Sequence, residues 1–237
     1  MNSKIRELIC LETQPVAVIK TDTMPDGALQ FKEGATSGCM IGMLTAASKG
    51  RTALFQACTT GCNGAKVGLG FAQMQPGPIV NFLSTGGPMP GEHYKKTPDL
   101  ALEFVKGMPN PLPKSCLVLK PLNQVNEDET PVTVVFLVNV DQLSGLCTLA
   151  HYDQPTQDTV VTRFGSGCAQ SILFPMMDSE AGLNRCTIGI TDPSARAHFD
   201  KDLLSFAIPY ARFLEMEANA EESFLTKETW AQVKKRL

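Results

Sequence analysis

Residues 116–121 (Cys-Leu-Val-Leu-Lys-Pro) and 132–138 (Val-Thr-Val-Val-Phe-Leu-Val) are almost unbroken apolar runs of strand length. A strand with one wet face alternates apolar and polar residues, whereas an unbroken run belongs to a strand covered on both faces. Two such strands demand helices on either side of one sheet. Helical patterns alternate with β-compatible segments along the rest of the chain. The expected architecture is therefore α/β (or α+β), a mixed sheet with packed helices.

Further strands are expected at 15–20, 52–57, 160–164 and 185–190, and helices at 2–11, 39–49, 98–107, 139–150 and 169–177. Residues 200–216 form an element broken at Pro209. A last helix spans 226–237, with Thr226 as N-cap and Glu228 in its first turn. Glycines at 61, 64, 68 and 70 suggest a loop followed by a tightly packed helical turn. Residues 74–92 are so rich in glycine and proline that they read as a long irregular segment, of the kind that serves as a lid or binding loop. The 237 residues suffice for a single domain with a real core.

The bulk numbers exclude several function classes. A net charge of -3 without a basic run argues against a nucleic-acid surface. No segment reaches the roughly 20 apolar residues of a membrane span, and residues 1–8 lack the pattern of a secretory signal. The expected location is the cytoplasm, where thiols stay reduced and functional cysteines bind metal or react.

Eight cysteines divide into two kinds. Cys10, Cys116, Cys147 and Cys186 sit in apolar patterns and read as small core hydrophobes. Cys39, Cys58, Cys62 and Cys168 sit among glycines: Ser-Gly-Cys at 37–39, Cys-Thr-Thr-Gly-Cys-Asn-Gly at 58–64 and Gly-Ser-Gly-Cys at 165–168. Glycine there lets the backbone turn sharply or approach a bound group. The first and last of these also echo one another. Each Ser-Gly-Cys is followed by an apolar helix, a basic residue (Arg51, Arg185) and a second cysteine, Cys58 or Cys186. The echo suggests two related strand–turn–helix–strand halves.

Four thiolates suit a 4Fe-4S cluster. Cys58 and Cys62 can reach one centre from a single turn, and helix starts at Cys39 and Cys168 would favour the thiolate. Zinc accepts the same four donors, although the paired Cys-x2-Cys knuckles of a zinc ribbon are absent. A reactive thiol at Cys58 or Cys62 without metal is a further reading, as is a binding module without catalysis. Arg196 and Arg51, near the cysteine turns or their echo, could clamp a carboxylate or phosphate. The sparse histidines 93, 151 and 198 read as surface or core residues. No nucleotide phosphate loop, serine-hydrolase elbow or His-Glu-x-x-His helix occurs.

Taken together, several segments resemble domain of unknown function family 169. They are Pro-Val-Ala-Val at 15–18, Cys39 before an Ala-rich helix ending at Gly50, and Cys58-x3-Cys62-x-Gly64 followed by Gly68, Leu69 and Gly70. The likeness continues through Pro121 and Leu122, the strand before Gln142 and Leu143, and Gly167 and Cys168 ahead of an apolar helix containing Pro175, with a looser match at Gly189 and Arg196. It covers nearly the whole chain. The resemblance implies that these cysteines are shared, and the anaerobic hosts of that family would suit an oxygen-sensitive cofactor. The expected function is a cluster-binding protein of anaerobic metabolism, acting as a redox protein or an enzyme on a small molecule or with a redox partner.

Overall fold

The computed structural model describes residues 1–34, 38–73, 75–108 and 116–237, so Ser37 and Met74 lie outside the described residues. The chain divides into two compact units, Met1–Leu69 with Lys114–Leu237, and Gly70–Pro113. The larger unit begins with α1 (Lys4–Leu8), β1 (Val16–Thr21), α2 (Met40–Ser48), β2 (Ala53–Gln56) and α3 (Asn63–Gly68). The smaller unit then contributes α4 (Pro76–Leu83) and α5 (Pro98–Lys106). The larger unit resumes with β3 (Cys116–Pro121), β4 (Thr133–Val138), α6 (Val140–Ala150), β5 (Val160–Val161), a π-helical segment (Ala169–Leu173) running into α7 (Phe174–Glu180), and β6 (Cys186–Gly189). It closes with α8 (Pro193–Arg196), β7 (Leu204–Pro209), α9 (Tyr210–Asn219) and α10 (Glu228–Lys234).

The strands form one mixed sheet in the order β2-β3-β1-β4-β7-β6-β5, antiparallel throughout except for the β5–β6 pair. The unbroken apolar runs are explained by cover on both faces. On one face Ala17, Ile19, Val118, Val134, Phe136, Phe206 and Ile208 join a core completed by residues of α1, α6, α9 and α10, including Ile5, Leu146, Phe213 and Trp230. Residues of opposite parity, such as Val16, Val18, Leu117, Leu119, Val135 and Leu137, are equally buried. Two helices, α2 and α7, pack against the sheet apart from that cluster; both follow a candidate cysteine. The α/β fold with packed helices is thus as expected.

The sheet also contains an internal two-fold relation. β1 and β4 pair antiparallel through Val16↔Val135, Ala17↔Val134 and Val18↔Thr133, a register symmetric about Ala17 and Val134. Outward from that pair, β3 flanks β1 and then β2 follows, while β7 flanks β4 and then β6 follows. Register agrees on both sides: Val16 faces Pro121 as Thr133 faces Pro209, and Ala53 faces Leu119 as Thr187 faces Ala207. Even the outermost contact recurs, since Leu29 bridges parallel to Ala53 as β5 runs parallel to β6. Each half is a strand, a cysteine-led helix, a parallel strand two places away, a short helix and a strand inserted between the two.

Three expectations need correcting. The segment 74–92 is not wholly irregular, because α4 begins at Pro76. Prolines in a first helical turn lose no hydrogen bond, since the N–H groups there have no intrahelical acceptor. Within the smaller unit α4 packs on α5 through Leu83, Ala101 and Val105, with Phe82 edge-on to Tyr94 at 5.7 Å. The last helix is capped by Lys227 rather than Thr226, whose hydroxyl instead donates to the Ser223 carbonyl at 3.1 Å. Cys10 is exposed at the end of α1 with φ 52°, not a core residue, whereas Cys116 and Cys186 are buried and Cys147 packs against the core. Among the described residues no helix is long and apolar enough to cross a membrane.

Candidate functional site

Three of the four glycine-flanked cysteines, Cys39, Cys62 and Cys168, line one cavity of about 740 Å³ in the larger unit. Each immediately precedes a helix: Cys39 before α2, Cys62 before α3 and Cys168 before the π-helical segment. None of the three side chains caps the helix it precedes, so the sulfurs are not engaged there. The third sits at the start of a π-helical turn, a local distortion found frequently at functional sites.

Glycine contacts explain how the loops come so close. A Cβ on Gly68 would lie 2.5 Å from Cys168 Cβ and 2.9 Å from the Ala169 nitrogen, so α3 reaches the Cys168 turn only because position 68 has no side chain. A Cβ on Gly167 would lie 2.7 Å from Ala195 Cβ. Side-chain hydrogen bonds complete the framework. Gln170, fully buried, donates to the Arg163 carbonyl at 2.8 Å and to Thr191 Oγ1 at 2.7 Å, and accepts from the Thr191 N–H at 2.9 Å. The turn holding Cys168 is thereby fixed to the segment that follows β6.

That segment supplies Asp192 and Ser194, which the sequence did not single out, and His198, which was expected to be a surface or core residue. Asp192, Ser194 and His198 line the cavity together with Ser166. Asp192 is 9% exposed, and its Oδ2 accepts from the Gly167 N–H at 3.1 Å. Its Oδ1 accepts from the Ser194 N–H at 3.0 Å, and the Ser194 hydroxyl reaches the same carboxylate at 2.8 Å. The Asp-Pro-Ser run at 192–194 is a recognisable helix start, with an acidic N-cap and proline at the first helical position. Nothing local marks it as a partner of distant cysteines.

Among the described residues, none lining the cavity is Lys or Arg. Its ionisable groups are three thiols, one carboxylate and one imidazole. Burial first, and then the nearby Cys39, Cys62 and Asp192, push the Cys168 thiol well above its usual range. This reverses the expectation that a helix start would favour its thiolate: desolvation and like charge outweigh the helix end. Among the described residues no three His, Cys, Asp or Glu side chains are drawn together around a single point as a one-ion site requires.

The other expected residues lie apart from the cavity wall. Cys58 is exposed in the turn after β2. Arg51 is exposed beyond α2, its N–H bonded to the Ala46 carbonyl. The Arg196 guanidinium donates to the carbonyls of Leu203 and Lys201, stands over the Phe199 ring, and borders a different cavity with Lys201 and Arg236. No curated protein and no solved structure matches this sequence. A family match spans residues 4–219, and the chain belongs to the uncharacterised ArCR family, domain of unknown function family 169.

Proposed function

We propose that this protein binds an iron–sulfur cluster, of the 4Fe-4S type, in the cavity lined by Cys39, Cys62 and Cys168, and that it serves anaerobic metabolism as a redox protein or as an enzyme acting on a small molecule. The observation that carries the reading is the convergence of three thiols from sequence-distant turns on one cavity whose wall, among the described residues, includes no lysine or arginine. Thiolates are the donors that hold iron–sulfur clusters, and they also suit zinc and Cu(I). Zinc accepts the same thiolate donors, and metal analysis separates zinc from a cluster. When bound, a cluster supplies one-electron transfer or, at an iron left open by the protein, polarisation of a substrate oxygen.

A metal-free thiol enzyme would rest on the exposed Cys58 or Cys62 rather than on Cys168, where burial disfavours the thiolate that a nucleophile needs. The test is anaerobic purification or reconstitution with iron and sulfide, followed by metal analysis, absorption and EPR spectroscopy. The expected protein is brown, with about four irons and four sulfides per chain. Cys62→Ser, at an exposed position that leaves the core intact, is expected to lose most of that iron. A colourless wild-type chain that takes up zinc but neither iron nor sulfide would overturn the reading.

A further inference from the structure

A four-iron cluster takes four terminal donors, and the cavity offers three thiols. The internal repeat and the cavity lining together offer a candidate for the fourth donor. The repeat carries Cys39, the residue before α2, onto Cys168, the residue before the π-helical segment and α7. Cys62 and Asp192 hold like places in the two halves as the N-caps of the short helices α3 and α8, although counting on from the paired strands sets Cys58 opposite Asp192. The strands leading to those caps, β2 and β6, are matched by register against β3 and β7. The connection from β2 is the longer one: residues 57–61 precede Cys62 where only 190–191 precede Asp192, and Cys58 lies within that connection.

Resting on the iron–sulfur reading, we propose that Asp192 is the fourth terminal ligand, so that the cluster is held by three thiolates and one carboxylate while Cys58 stays outside the shell. Asp192 lines the cavity and is more than nine-tenths buried. A carboxylate has about four lone-pair sites. The Gly167 N–H, the Ser194 N–H and the Ser194 hydroxyl take three, which leaves one for a metal. Those bonds are what a ligating carboxylate needs around it, because they fix its orientation before the metal arrives. One of them comes from the residue preceding Cys168, so carboxylate and thiol are set relative to each other by a single hydrogen bond.

The oxygen corner has a chemical consequence. A carboxylate is a harder donor than a thiolate and holds an iron of a sulfide cluster less firmly. If a cluster is bound, the iron that Asp192 would hold would be the one most open to exchange or to a small molecule with a hydroxyl or carboxylate group, and Ser194 and His198 line the same cavity.

The experiment compares wild type, Cys58→Ser, Cys62→Ser, Asp192→Ala and Asp192→Cys after anaerobic reconstitution, reading iron and sulfide per chain and EPR before and after brief oxidation. Cys58→Ser is expected to match wild type. Asp192→Ala is expected to fall from about four to about three irons per chain with a three-iron signal, and Asp192→Cys to retain all its iron through oxidation. If Asp192→Ala does not fold, the exposed Cys58→Ser and the similar-sized Asp192→Cys still decide the matter. Cys58→Ser losing iron as fully as Cys62→Ser, with Asp192→Cys no more resistant than wild type, overturns the ligand assignment alone. A wild-type chain without iron and sulfide overturns the cluster reading and this assignment with it.

Discussion

The two halves of the sheet share connectivity and register but are stabilised differently, and they spend their equivalent positions on different chemistry. Gly38 and Gly167 each precede a cysteine, yet for separate reasons. Gly38 has φ 131°, a conformation that disfavours any side chain, whereas Gly167 is required by the close approach of Ala195. The first half ends in a single 3-10 turn after β3, where the second continues into the long helix α9. The first half presents two cysteines to the cavity and the second presents one cysteine and an aspartate. A repeated framework thus fixes where the corners of a site fall without fixing what occupies them.

The largest expected effect comes from a brace in the second half. Arg212 of α9 is fully buried, and its guanidinium donates to Asp153 through two nitrogens, to Glu215 at 2.7 Å and to the Ala150 carbonyl at 3.0 Å. Hydrogen bonds from Arg212 hold the Asp153 carboxyl down at about 2. Asp153→Asn leaves a buried cation short of its main counter-charge and is expected to cost about 3 kcal/mol at neutral pH, read as a lower urea midpoint. A depressed carboxyl contributes stability above its unfolded value near 4, and that contribution is lost as pH falls toward about 2. The gap between wild type and variant should therefore narrow between about pH 4 and pH 2. Iron per folded chain should not change, because the brace is separate from the cavity; a variant that folds normally yet binds no iron would show that the halves are not separable in this way.

Next in size is the junction where the halves meet at the site. Gly68→Ala would drive a methyl group into Cys168 Cβ and the Ala169 nitrogen, one of them backbone that cannot step aside. Overpacking of this kind is expected to cost about 2 kcal/mol. Because α3 would be pushed off the Cys168 turn, iron uptake should fall well beyond what the stability loss explains. Unchanged uptake would mean that the close approach of α3 is not needed to assemble the thiols.

The legible part of this molecule is whatever depends on local pattern. β3 and β4 could be read because cover on both faces leaves them no polar positions, and the break at Pro209 because β7 ends there and α9 begins. The glycine-flanked cysteines were legible because glycine among thiols has no core-packing explanation, and three of the four do share a cavity. Helix α4 was hidden by its own prolines, which signal irregularity except in a first turn. Spacing could not separate Cys58 from Cys62, since both lie in one loop and the difference is which end of it turns inward. Asp192 was illegible for a deeper reason. Its likeness to Cys62 resides in place, each being the N-cap of the short helix after a matched strand, and not in any shared residue; counted on from the paired strands alone, Asp192 falls opposite Cys58.

The smallest effect sharpens the contrast within a single helix. Gly64 and Gly68 both belong to α3 and look interchangeable in sequence. A Cβ on Gly64 would meet only Cys62 Sγ at 3.7 Å, an ordinary van der Waals contact, and the residue is exposed. Gly64→Ala exchanges a flexible helix residue for the best helix former without a clash, so a gain of up to about 0.5 kcal/mol is expected, with iron uptake kept at the wild-type level. The pair of alanine variants, measured side by side for midpoint and iron content, separates helix propensity from site assembly. If Gly64→Ala lost iron as Gly68→Ala is expected to, the restriction would lie in the α3 backbone itself, and the packing of Gly68 against Cys168 would no longer account for how the two halves converge on one cavity.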